Sequence, residues 1–321
     1  MTIAFIALIF GFAMLTWGAD RFVLGSAAIA RNLGVSPLII GLTIVGFGTS
    51  APEMLVSAMA AWNNNAGLAI GNAIGSNITN IALILGATTL VAPLKVQSST
   101  LRREMPVLLF IMLVGLALMW DGILSRLDGG ILLAGLGLML IWLATLGARD
   151  RRDPMQSEYE AEIPSHMPML RALFWFALGL VILIVGSRIL VWGAVIIAQA
   201  FGVSDLIIGL TIVALGTSLP ELAVTVMSAM KGEHDIAIGN VIGSNMFNLL
   251  GVLGLPGLIA PGAFAAEVLT RDFSMMIGLT IALFFMAYGF RGPGRINRLE
   301  GGVLLATYVG YQTLLYVTSL S

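Results

Sequence analysis

The chain contains no cysteine, which excludes a disulfide framework and any thiolate-held metal. It has two histidines, His166 and His234, both in polar connections, so no imidazole stands inside an apolar segment as metal ligand or base. Charge is scarce as well. Lys, Arg, Asp and Glu make up 10% of the 321 residues, against about 25% in soluble domains. With 58% hydrophobic residues, the chain lacks the polar surface needed to face water, and lipid is the better solvent for it. The net charge of −1 says little about partners, because the few charges are unevenly placed. The N-terminus opens without a positive stretch, so the first apolar run is expected to be a permanent span and not a cleaved leader.

A bilayer core of about 30 Å asks for roughly 20 apolar residues per helix. Ten such runs are present, at about 2–30, 37–61, 67–90, 104–120, 129–147, 170–200, 205–229, 235–258, 272–289 and 300–318. The longest polar connection, 148–169, divides them five and five. The halves repeat: Leu38–Val45 recurs letter for letter as Leu206–Val213, Gly48-Thr49-Ser50-Ala51-Pro52-Glu53 returns as Gly216-Thr217-Ser218-Leu219-Pro220-Glu221, and Gly71-Asn72-Ala73-Ile74-Gly75-Ser76-Asn77 returns as Gly239–Asn245, all at one offset of 168 residues. Because five is odd, the second copy must enter the membrane from the opposite side, as in many secondary transporters. The predicted fold is all-α and membrane-embedded, with ten transmembrane helices as two inverted five-helix repeats (1–147 and 170–321) joined by a linker and broken near the midplane. Twelve Lys and Arg lie in one set of connections, and the other holds only Arg126 and Arg271. The positive-inside rule therefore places the linker, with Ser157, in the cytoplasm and both termini, with Asn64, outside.

Ionisable groups inside a bilayer are costly and mark function by default. Asp20, Glu53 and Glu221 are the acidic residues well inside apolar runs, and Glu53 and Glu221 are partners under the repeat. In an inverted pair their spans can cross, so that two carboxylates meet. Pro52 and Pro220 cannot donate a backbone hydrogen bond, which frees the carbonyls of Gly48, Thr49, Gly216 and Thr217. Irregular backbone at membrane depth is tolerated where it lines a wet cavity. Thr49 and Ser50 share a helix face with Glu53. The next span adds Asn72, Ser76 and Asn80 at i, i+4 and i+8, repeated as Asn240, Ser244 and Asn248. Carboxylate, hydroxyl, amide and carbonyl oxygens without sulfur or imidazole suit a hard cation, whereas Zn2+ or Cu would ask for His or Cys. The site reads as one for Ca2+ or Na+.

These paired blocks resemble the α-repeats of the Ca2+/cation antiporter superfamily, and the length and span pattern resemble its prokaryotic sodium/calcium exchanger branch. The resemblance implies alternating access, with the first and sixth spans sliding to expose the site to each side in turn. It implies Ca2+ and Na+ as transported substrates in a plasma-membrane protein. It also makes Glu53 and Glu221 the central Ca2+ ligands, aided by the carbonyls of Thr49 and Thr217. Ser50, Ser218, Ser76 and Ser244, with the carbonyls of Gly46 and Ala214, would shape flanking Na+ sites, and Asn80 and Asn248 would border the centre. Some members carry Asp where this chain has Asn248, which leaves the Na+ count open. No resident cofactor, nucleic acid or protein partner is implied.

Plainer readings compete. Ser and Asn commonly bond across membrane helices, and Asn77 and Asn245 read as structural. Asn72 and Asn240 could be ligands or ties at a broken helix. Asp20, Arg21 and Arg188 read as a wet face or an ion pair. An intramembrane hydrolase would need a base beside Ser50 or Ser218, and no span offers a histidine, so an enzyme is not expected. A channel usually arises from a symmetric oligomer. A Ca2+/H+ antiporter using the same glutamates is the alternative to Na+ coupling.

Overall fold

The computed structural model describes residues 2–64, 66–96, 98–150, 167–201, 214–288 and 294–320. Helices occupy the expected places: α1 (Thr2–Leu33), α2 (Leu38–Trp62), α3 (Ala66–Val91), α4 (Ser98–Leu118), α5 (Arg126–Asp150), α6 (Met169–Ala200), α7 (Leu219–Met230), α8 (His234–Ile259), α9 (Val268–Ala287) and α10 (Arg298–Leu320). Among the described residues, seven of them are long and apolar enough to cross a bilayer. The Leu206–Val213 copy and most of the linker, Ser157 included, lie outside the described residues. The spans are helical because lipid offers no hydrogen-bond partner to the backbone.

The helices are not uniformly α. Four stretches widen to π-helix, at Gly41–Val45, Thr79–Leu85, Asn248–Val252 and Val268–Phe273. The second and third carry the repeat partners Asn80 and Asn248, and single π turns favour functional positions. The expected break is clear in the second half, where a helical turn (Ala214–Thr217) ends at Ser218 with φ −91° and ψ 3° before α7 begins. In the first half the chain stays α-helical through Pro52, and the irregularity lies upstream in the π segment. Four strands of two or three residues, unannounced by an all-α reading, tie connections together. β1 (Leu94–Val96) pairs antiparallel with β4 (Gly294–Ile296), and β2 (Ile123–Leu124) with β3 (Gly262–Ala263).

By packing, the chain forms two compact units that cut across the sequence repeats: Met1–Thr49 with Leu138–Asn240, and Ser50–Gly137 with Val241–Ser321. In the first unit, α1 and α6 lie antiparallel along a glycine seam. Gly11, Gly18 and Gly25 recur every seven residues, and their repeat partners Gly179, Gly186 and Gly193 do the same. A Cβ on Gly11, Gly18 or Gly25 would come within 2.7, 2.8 or 2.5 Å of the backbone nitrogens of Leu190, Leu183 or Phe176. Small residues let membrane helices approach this closely. The α1 charges are paired: Lys231 Nζ lies 2.8 Å and Arg21 Nε 3.5 Å from Asp20 carboxylate oxygens. The Arg21 guanidinium also sits over the Trp17 and Trp175 rings, 5.5 and 4.9 Å from their centroids. Arg188 is exposed. Next to Lys231, burial pushes the Glu233 carboxyl up against the pull of Arg31 and Lys231.

In the second unit two repeat-related contacts build the frame. Gly86 of α3 closes on α10, its Cβ position 3.0 Å from Leu305 N. Gly257 of α8 closes on α5, its Cβ position 2.8 Å from the Gly129 Cα. The core here is aliphatic, with Ile70, Ile74, Ile78, Ile81, Leu249 and Leu250 all buried.

Candidate cation-binding half-sites

Six of the proposed ligand residues fall in each unit. The first holds Gly46, Thr49, Ala214, Thr217, Ser218 and Glu221, and the second holds Ser50, Glu53, Ser76, Asn80, Ser244 and Asn248. Glu53 and Glu221 are each 1% exposed. Ser50, Ser76, Asn80, Ser218, Ser244, Asn248 and Thr49 are buried too, while Thr217 is half-buried. So much buried polarity inside apolar spans costs free energy unless each group is bonded or holds an ion.

In the first unit, α8 meets α2 at a glycine contact, where a Cβ on Gly239 would lie 2.7 Å from Leu38 O and 3.0 Å from the Gly41 Cα. This approach lets the short Asn240 side chain bond to its surroundings on both sides. Thr49 Oγ1 donates to Asn240 Oδ1 at 3.1 Å, sharing its one proton with the carbonyls of Val45 (3.1 Å) and Gly46 (3.4 Å). Asn240 Nδ2 donates to Thr225 Oγ1 at 2.9 Å and to the main-chain carbonyl of Glu221 at 3.4 Å. Thr225 in turn donates to that same carbonyl at 2.7 Å. One freed carbonyl is already used: Pro220 leaves Gly216 O without a helical donor, and Ser187 Oγ of α6 donates to it at 2.8 Å.

In the second unit, Asn72 Nδ2 donates to the main-chain carbonyl of Glu53 at 3.0 Å, so Asn72 ties α3 to α2. Ser57, the counterpart of Thr225, bonds instead to Val252 O at 2.7 Å. Deeper in α3, Asn80 Nδ2 donates to Asn245 Oδ1 at 3.0 Å, and Asn77 Nδ2 donates to Ala73 O at 2.8 Å. The buried oxygens Asn80 Oδ1 and Asn248 Oδ1 have no hydrogen-bond partner among the described residues. Leaving such an acceptor unsatisfied costs about 1–3 kcal/mol, a cost that a bound cation removes. Among the described residues no three His, Cys, Asp or Glu side chains gather. Thr225, Ser187 and the pairing role of Asn245 are outside what the repeat motifs announce.

The model of the sodium/calcium exchanger protein family matches residues 3–145 and 171–317. The chain belongs to the sodium/calcium exchanger family. CaxA of Alkalimonas amylolytica is 49% identical over 317 residues, covering 98% of this chain and 99% of that protein. The sodium/calcium exchanger MaX1 of Methanosarcina acetivorans is 31% identical over 360 residues, with 98% and 99% covered. The solved sodium-calcium exchanger NCX_Mj, soaked with Na+ and Sr2+, superimposes with a TM-score of 0.82 at 34% identity, covering 96% of this chain and 97% of that one. Membership in the exchanger family makes this chain an integral membrane transporter of the Ca2+/cation antiporter superfamily and not an enzyme.

Proposed function

We propose that this family member exchanges Ca2+ for Na+ across the plasma membrane by alternating access, with the Na+ gradient driving Ca2+ out of the cell. The observation that carries the reading is the pair of repeat-related glutamates, Glu53 and Glu221, each 1% exposed and each with its main-chain carbonyl held by an asparagine side-chain amide. Two carboxylates in a low-dielectric interior offset one divalent ion. The hydroxyl, amide and carbonyl groups complete the six to eight oxygens that Ca2+ takes. The names of MaX1 and NCX_Mj support Na+ and Ca2+ as the exchanged pair.

In this reading Glu53 and Glu221 are the Ca2+ ligands, with the carbonyls of Thr49 and Thr217. Ser50, Ser76, Ser218 and Ser244, with the carbonyls of Gly46 and Ala214, shape Na+ sites. Asn80 and Asn248 supply buried amide oxygens that have no hydrogen-bond partner among the described residues. Both termini face outside and the linker lies in the cytoplasm. Glu53→Gln and Glu221→Gln in reconstituted protein test the assignment. Each is expected to lower Ca2+ uptake by more than about 100-fold, since even residues behind the ligands are worth about 10–100-fold in metal affinity. Near-normal uptake by either variant, correctly inserted, refutes it.

A further inference from the structure

Asn72 and Asn240 stand 168 residues apart and make the same bond: each side-chain amide donates to the main-chain carbonyl of the glutamate 19 residues before it, at 3.0 and 3.4 Å. From this repeated geometry we infer that Asn72 and Asn240 are positioning residues, which hold Glu53 and Glu221 in register without themselves touching the cation. The inference rests on the reading of Glu53 and Glu221 as cation ligands.

A carbonyl only accepts, so the Asn240 atom facing Glu221 O must be the amide nitrogen, and this fixes which way the side chain points. Its oxygen then faces the Thr49 hydroxyl at 3.1 Å, and its second amide proton reaches Thr225 Oγ1 at 2.9 Å. Asn240 thus links α2, α7 and α8 through two residues proposed as ligands. What it fixes is the backbone from which the Glu221 carboxylate departs and the turn that presents the Thr49 carbonyl. Groups of this kind orient metal ligands, and their loss typically costs 10–100-fold in affinity.

The two straps are unequal. Asn240 is fully buried, sits beside the Gly239–Gly41 contact and has Thr225 as an auxiliary. Asn72 is half-buried, and Ser57 turns away to Val252 O. Loss of Asn240 is therefore the more damaging.

The test uses full-length reconstituted protein and Ca2+ itself as probe. Half-saturating Ca2+, maximal rate and the ion-free Tm are measured for Asn72→Ala, Asn240→Ala and Thr225→Val, with Glu221→Gln as reference. Asn240→Ala is expected to raise half-saturating Ca2+ by about 10–100-fold, and Asn72→Ala by less. Thr225→Val, nearly isosteric, is expected to move it the same way at an unchanged ion-free Tm. If Asn240→Ala does not fold, the other two variants decide. Unchanged half-saturation in these variants while Glu221→Gln abolishes uptake overturns the positioning role and leaves the function intact. A fall in Tm and rate at constant half-saturation also overturns it. Uptake that survives Glu221→Gln removes the glutamate reading instead.

Discussion

A carboxylate buried at 1% exposure in a membrane span, as Glu53 and Glu221 both are, is held there against a large solvation cost. In the proposed function, protons and Ca2+ compete for their oxygens. Acidifying the medium is therefore expected to raise half-saturating Ca2+ progressively while leaving the maximal rate at saturating Ca2+ less affected, as a proton–Ca2+ competition assay on reconstituted protein would show. A half-saturation that ignores pH would mean that the titrating groups are not ligands. The glutamates and their flanking serines were legible in the sequence because charge and hydroxyl stand out against apolar runs and recur at one offset. The ties around them were not. Nothing in the spacing of Asn72, Ser76 and Asn80 says that the first bonds a main-chain carbonyl and the last an asparagine of the other repeat, because both depend on which helix packs alongside. The Ser187 bond to Gly216 O was hidden for the same reason.

At the scale of elements, the α1–α6 seam makes the sharpest demand on sequence. Gly18 and Gly186 face the opposing backbone at distances that no side chain can share. Gly18→Leu is expected to cost about 1–3 kcal/mol or more through overpacking, seen as a lower Tm in detergent together with loss of exchange. Gly75→Ala, whose Cβ meets nothing within 4 Å among the described residues, should leave both unchanged. A Gly18→Leu protein with parental Tm and rate would show that the seam is not held closed. The sevenfold glycine spacing stands in the sequence and marks the seam, but only the partner helix shows what it closes on. Among the described residues span positions were readable from hydropathy, the fourth helix starting at Ser98 and not at 104, while the start of the seventh lies outside those residues. The π segments at Thr79–Leu85 and Asn248–Val252 were not, since apolar composition is the same for either helix. The two small sheets escaped notice because their strands are two or three residues long.

For the whole molecule, the inverted repeat explains why equivalent residues recur in a chain that nevertheless packs into units drawn from both halves. The proposed orientation rests on the Lys and Arg asymmetry. In a chain without cysteine, an impermeant thiol reagent on intact cells is expected to label Asn64→Cys and not Ser157→Cys, and the reverse pattern would invert the topology. With Asn at both 80 and 248, the two glutamates supply a charge of −2, which one Ca2+ or two Na+ would neutralise. We propose that three Na+ exchange for one Ca2+, the serine and carbonyl oxygens solvating the third, so that net charge moves. The most direct measurement of the central claim is Ca2+ flux in liposomes containing the purified protein, with Na+, pH and a K+-clamped membrane potential imposed separately. Ca2+ is expected to accumulate against an outward Na+ gradient, to ignore a pH gradient, and to speed or slow with the imposed voltage. Accumulation that follows the pH gradient and is indifferent to Na+ would contradict Na+/Ca2+ exchange outright.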